Sequence, residues 1–262
     1  MRAFALASAI SLALAGAAEA APRRVASLNL CTDELLLMLG RPDQIVSVTH
    51  LAQSPAETPL WRQARLHAHN DGSLVSVAGM RPDLVLTMGG GARDRVRIAG
   101  RLGIKVVDLP FPQTISDIEE SVRRVSIALG RQSAAAPILA RLAKLKASAP
   151  PDPTEAVWLG GGGRSVAAGG LAAQWMRLAG LRQRSLLGDR ISLEQLLVRP
   201  PPILLRSQYR SGQYSSEQRW LAHPLAKGTD RSRSIPTDGR LWTCMGPPMI
   251  GEIGRLRGAV AR

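Results

Sequence analysis

Residues able to do chemistry are sparse in this chain, and they gather where the sequence turns. The two cysteines stand in Asn29-Leu30-Cys31-Thr32 and in Trp242-Thr243-Cys244. Three readings are open for them. They can form a disulfide in an oxidising compartment, which needs Cα atoms within about 7 Å, act as soft ligands for a metal complex, or remain two separate buried thiols. Of the four histidines, His67 and His69 alternate beside Asp71, while His50 and His223 stand alone. That is short of the three or four well-placed ligands of a zinc site. Gly160-Gly161-Gly162-Gly163-Arg164 offers bare amides to an anion and a guanidinium for a carboxylate or phosphate. It lacks both the spaced third glycine of a dinucleotide site and the Lys-Ser/Thr of a triphosphate loop. Tyr209 and Trp242 fall on loops and suit stacking on a flat ligand, whereas Trp158 and Trp175 read as core on a strand and a helix face. No CxxC, zinc-protease helix, nucleophile elbow or Ser-His-carboxylate set is present, so the chain reads as a binder and not as an enzyme.

The elements that must position these residues are short and alternate between strand and helix. Val25 to Leu28 is a strand, and Thr32 or Asp33 caps a helix through Leu39 that stops at Gly40. Gln44 to Val48 is a second strand. A short helix over Leu74 to Met80 ends at Arg81-Pro82, and a buried strand over Asp83 to Met88 opens into Gly89-Gly90-Gly91. Helix and strand follow over 93–102 and 104–109. Ile115, Ile118, Val122, Val125 and Leu129 line one face of a helix that Gly130 stops. A further helix from Ser133 carries Ile138, Leu142 and Leu145, and the proline-rich 149–153 ends it. The second half repeats the first. Arg199-Pro200 before an apolar strand lies 118 residues after Arg81-Pro82, and the strand, polar loop and helix of Val25 to Leu39 are echoed over Ala156 to Leu178. Two α/β lobes follow, and their strand carboxyl ends define a common cleft.

Composition agrees. The 262 residues are 45% hydrophobic and 3% aromatic, with 25 Gly and 18 Pro, enough apolar mass for two modest cores. The net charge of +14 comes from 34 basic and 20 acidic residues, almost all of the basic ones Arg. It reads as an Arg-rich solvated surface or as attraction to an anion. The opening MRAFALASAISLALAGAAEA has a charge at Arg2, an apolar stretch from Ala3 to Ala15 and small residues at Ala18 and Ala20, the pattern of a secretory signal cleaved after Ala20. An exported protein of this kind meets no nucleic acid.

The segments RRVASLNLCTDELLLMLG, VSVAGMRPDLVLTMGG, RLGIKVVDLP and ISLEQLLVRPPPILL resemble those of the periplasmic solute-binding proteins that serve importers of cobalamin, ferric siderophores and haem. The helix followed by RPDLV is the most specific piece. The resemblance implies an α/β fold of two Rossmann-like lobes joined by a long helix, with the ligand cleft between them. It divides the chain into a signal peptide (1–20), a first lobe (21–132), an inter-lobe helix and linker (133–153) and a second lobe (154–262). It implies a monomer that holds a metal chelate, with no cofactor of its own, and delivers it to a permease dimer driven by an ATPase. A corrinoid, a ferric siderophore and haem are the candidate ligands, the corrinoid favoured, with Tyr209 a possible axial oxygen for haem iron. An exported metal chaperone or a cofactor-processing enzyme on a similar scaffold is the alternative. The expected ligand-binding residues are Asn29, Cys31, Thr32, Met88, Gly89 and Gly90 in the first lobe, and Gly162, Arg164, Arg206, Gln208, Tyr209, Trp242 and Cys244 in the second. In the family, one acidic residue per lobe docks the permease. The second-lobe position matches Glu194, but the first-lobe position reads Val75, so that contact is either absent or supplied by a neighbour such as Asp71.

Overall fold

The structure, a computed structural model, describes residues 21–89 and 93–262. The expected signal segment and the loop residues Gly90 and Gly91 lie outside the described residues. In the first lobe, β1 (Val25–Ser27), α1 (Leu30–Leu39), β2 (Ile45–Thr49), α2 (Trp61–Ala64), β3 (Ala68–Asn70), α3 (Leu74–Ala78), β4 (Leu84–Met88), α4 (Arg93–Arg101) and β5 (Lys105–Leu109) follow in turn. Their strands form one parallel sheet in the order β3-β2-β1-β4-β5. β1 and the Leu84 to Leu86 stretch of β4 are fully buried, as expected of parallel strands covered on both faces. Order reverses between β1 and β4, so the open crevice of this sheet lies at their carboxyl ends, beside Asn29 and Gly89.

The first helix starts three or four residues earlier than its sequence suggests. Asn29, in extended conformation directly after β1, caps α1 by accepting the Cys31 amide at 2.9 Å on its side-chain oxygen. Thr32 and Asp33, the expected caps, are instead inside the helix and buried. Asparagine caps as well as either, and its place at the end of the strand decides the outcome.

Two helices, α5 (Ile115–Ala128) and α6 (Gln132–Ala147), connect the sheets. A capping box between Thr114 and Asp117 opens α5, and Gly130, with φ of 64°, turns the chain after it. The helix expected from Ser133 is α6, and with α5 it forms a helical hairpin. Ile115 and Ile118 of α5 pack into the second-lobe core, while Val122, Val125 and Leu129 pack into that of the first. On α6 the order is reversed: Ala135 belongs to the first core and Leu142 to the second. Each helix spans both cores, and the sixteen residues of α6 extend about 24 Å.

The second lobe contains β6 (Thr154–Leu159), α7 (Leu171–Leu178), β7 (Leu181–Gln183), α8 (Leu193–Val198), β8 (Ile203–Ser207), α9 (Ser216–Leu221), α10 (Pro224–Lys227), β9 (Arg233–Thr237), α11 (Leu241–Cys244) and α12 (Met249–Val260). Its sheet is also parallel, in the order β7-β6-β8-β9. Here order reverses between β6 and β8, which puts the crevice at Gly160 and Gln208. β4 and β8, the two strands announced by Arg-Pro, occupy equivalent places beside the first strand of their lobe.

Candidate ligand-binding cleft

Among the described residues, a disulfide, a carboxylate cluster and an arginine join the two lobes at their junction. The first is covalent. Cys31, in the first turn of α1, and Cys244, the last residue of α11, form a disulfide with Cα atoms 5.2 Å apart. Of the three readings open from sequence the pair adopts the first, so neither sulfur is a free thiolate for a metal. Met88, Pro112, Ile118 and Pro247 line a small void of about 10 Å³ beside it.

The second link is polar. Glu57, in the Pro55-Ala-Glu-Thr-Pro59 loop of the first lobe, is buried, and its carboxylate receives two donors from the opposite lobe. The Tyr209 hydroxyl donates to Oε2 at 2.7 Å, and the Arg210 guanidinium pairs with Oε1. Burial, then acceptance of the phenol proton by Glu57, raises the Tyr209 pKa, while the bond to Glu57 raises that of Arg210. The third link is Arg240, which donates to the Pro55 carbonyl at 2.9 Å and pairs with Asp238 at 2.6 Å. Tyr209 is held by its own lobe: Gln218 donates to its carbonyl at 3.0 Å and Gly239 packs against its backbone. Arg210 has φ of 49°, a left-handed conformation that is strained for a residue with a side chain and persists only where its surroundings enforce it.

Next to these links is a cavity of about 750 Å³, within the range of small-molecule sites. Gln208, Arg210, Asp238, Arg240, Glu252 and Arg255 line it from the second lobe, and Pro55 and Ala56 from the first. Two carboxylates stand behind the first-lobe wall. Burial pushes Asp33 up to about 7, against hydrogen bonds from Thr49, and pushes Glu34 up to about 7, against the Thr58 hydroxyl at 2.7 Å. Among the described residues no three of His, Cys, Asp and Glu gather to hold a metal ion, and no helix is long and apolar enough to cross a membrane.

Residues 25–230 match the family model described as periplasmic binding protein. The chain belongs to that family. No curated protein sequence matches this periplasmic binding protein, but solved structures do. The vitamin B12 binding protein BtuF of Vibrio cholerae is 19% identical at a TM-score of 0.63, covering 90% of this chain and 96% of its own. The haem binding protein HutB of Vibrio cholerae is 16% identical at a TM-score of 0.68, covering 91% and 99%. The siderophore binding protein BauB, bound to acinetobactin and ferric iron, is 14% identical at 0.65, covering 91% and 94%. At these identities the likeness concerns the two-lobed α/β fold.

The expected site residues of the binding protein divide in two. Cys31 and Met88, next in sequence to Asn29 and Gly89, reach the junction from the first lobe, and Gln208, Tyr209 and Cys244 from the second. Gly90 lies outside the described residues. Thr32 does not reach the junction: it is fully buried, with its hydroxyl bound to the Asn29 carbonyl and to Ser27. Trp242 is also core, 8% exposed, its indole N–H donating to Thr237 at 2.8 Å and its ring 5.9 Å from Trp158. Placed at the start of α11, it turns inward onto apolar neighbours that a sequence does not reveal. The glycine loop is no anion cradle. α9 covers it, with Arg164 paired to Glu217 and Arg190 donating to the Gly162 carbonyl at 2.8 Å. Arg206 points at α9, donating to the Leu221 carbonyl at 3.0 Å. Two contributors went unread: Glu57 and Arg240. Glu57 had one signal, being the only acid between Asp43 and Asp71.

Proposed function

We propose that this chain is the periplasmic substrate-binding component of an ABC importer, which captures a metal chelate, a corrinoid, a ferric siderophore or haem, between its lobes and delivers it to a permease dimer and its ATPase. The observation that carries this is a pair of parallel sheets, each with its own order reversal, beside a cavity of about 750 Å³ that the second lobe lines together with Pro55 and Ala56 of the first. The match to the periplasmic binding protein family and the ligands of BtuF, HutB and BauB support it. The signal-like opening sequence accounts for export, with cleavage after Ala20.

Docking on the permease falls to Glu194 and Asp71. Both are exposed. Bonds from Ser73 hold the Asp71 carboxyl down at about 2, and Ser192 lowers that of Glu194 in the first turn of α8, so both stay charged at neutral pH. Val75, 85% exposed on α3, leaves the first lobe to dock through Asp71.

Native mass spectrometry tests the reading on the mature protein mixed with cobalamin, haemin, ferric hydroxamate and catecholate siderophores, and zinc. The expected result is a one-to-one adduct with an intact chelate. An adduct with zinc alone would overturn it in favour of a metal chaperone.

A further inference from the structure

The second lobe, taken alone, carries a cation that nothing in that lobe neutralises. Of the charged groups it contributes to the 750 Å³ cavity, Arg240 pairs with Asp238 and Arg255 with Glu252, whereas Arg210 pairs across the junction with Glu57. Tyr209 spends its hydroxyl on the same carboxylate. Phenol and guanidinium thus converge on the two oxygens of one carboxyl group, as in a bidentate carboxylate receptor. The receptor is built into the second lobe: Gln218 and Gly239 fix Tyr209, and the left-handed backbone of Arg210 keeps its side chain aimed at the junction at a conformational cost. By contrast, Glu57 sits on a loop between Pro55 and Pro59 and not on a strand or helix.

We propose that Tyr209 and Arg210 are the carboxylate-binding subsite of the cleft, that Glu57 fills it in the ligand-free protein, and that a carboxylate on the incoming chelate displaces Glu57 from it while the Cys31–Cys244 disulfide keeps the lobes joined. The exchange replaces one carboxylate by another, so no additional charge is buried and Arg210 is never left unpaired. The cargo is thereby restricted, within the chelates named above, to those bearing a free carboxylate. Glu57 acts as a competitor that an uncharged ligand cannot displace at the receptor. The inference rests on the binding-protein reading and adds to it the chemistry of the ligand.

Haemin and ferric citrate, which carry carboxylates, and haemin dimethyl ester and cyanocobalamin, which do not, separate the possibilities. Binding to the mature full chain is followed by tryptophan fluorescence and native mass spectrometry. A carboxylate-bearing probe is expected to bind wild type. Glu57→Ala should then bind it about tenfold more tightly and Arg210→Gln about tenfold more weakly. Tyr209→Phe, a milder change that keeps the ring, should weaken it about threefold. Circular dichroism confirms that each variant is folded, and Glu57→Gln serves where Glu57→Ala is not. Binding of the carboxylate-free probes alone, or a Glu57 variant that loses affinity in step with Arg210→Gln, would overturn the subsite while leaving the binding protein intact. Absence of any chelate adduct would remove both readings.

Discussion

The hydrogen atom that Gly239 carries in place of a side chain decides where Tyr209 can sit. A Cβ there would lie 2.3 Å from the Ser207 hydroxyl and the Tyr209 amide nitrogen. Gly239→Ala should lower stability by about 1–3 kcal/mol, seen as a lower Tm, and should break the bond from Tyr209 to Glu57. Glu34 gives a second test. Its carboxyl titrates near 7 in the fold against about 4.3 in an unfolded chain. The folded-state value is the higher one, so its contribution to stability is complete below about pH 4 and is lost as pH rises through 7. Glu34→Gln should therefore gain stability over wild type between pH 5 and pH 8 in paired thermal melts, and a constant difference across that range would contradict the burial argument. At this scale the sequence was partly legible. Asn29, Cys31, Met88, Gly89, Gln208 and Tyr209 are near the junction because they end strands or open the helices that follow, and strand ends can be read from apolar runs. Trp242 and Arg164 misled because loop position says nothing about which way a side chain turns, and Trp242 found Thr237 and Trp158 within its own lobe.

The hairpin of α5 and α6 makes the two lobes one mechanical body. Leu142 is 1% exposed and lies in the second core, on a helix whose Ala135 lies in the first. Leu142→Ala should cost about 2–5 kcal/mol, and because the hairpin belongs to both cores, calorimetry should show a single transition moving to lower temperature. Two separate transitions would mean that the cores do not share it. Loss of the capping hydroxyl in Thr114→Ala should cost about 1 kcal/mol in the same assay. The period of Ile115, Ile118, Val122, Val125 and Leu129 marks the apolar face of α5 in the sequence, but a period shows only that a face is covered and not by what. That the first two of these residues face one lobe and the last three the other emerges only when the sheets are placed.

At the scale of the molecule, two parallel sheets with reversed order at β1/β4 and β6/β8 bring their crevices together, and the repeated Arg-Pro strand made that arrangement readable. The pairing of Cys31 with Cys244 was not readable, because a sequence separation of 213 residues carries no information about distance. In a chain-entropy model a loop of that length stabilises the fold by about 5 kcal/mol, so reduction, or Cys31→Ser with Cys244→Ser, should lower Tm and widen lobe opening in small-angle scattering. The same bond changes what a protease can accomplish. Between Cys31 and Cys244 the polypeptide is a covalent ring, so a single cut in the exposed proline-rich segment after α6 leaves both lobes in one particle of unchanged mass apart from the water added. A nicked protein would run as one band on a non-reducing gel and as two fragments after reduction, and its halves would stay in register around the cleft.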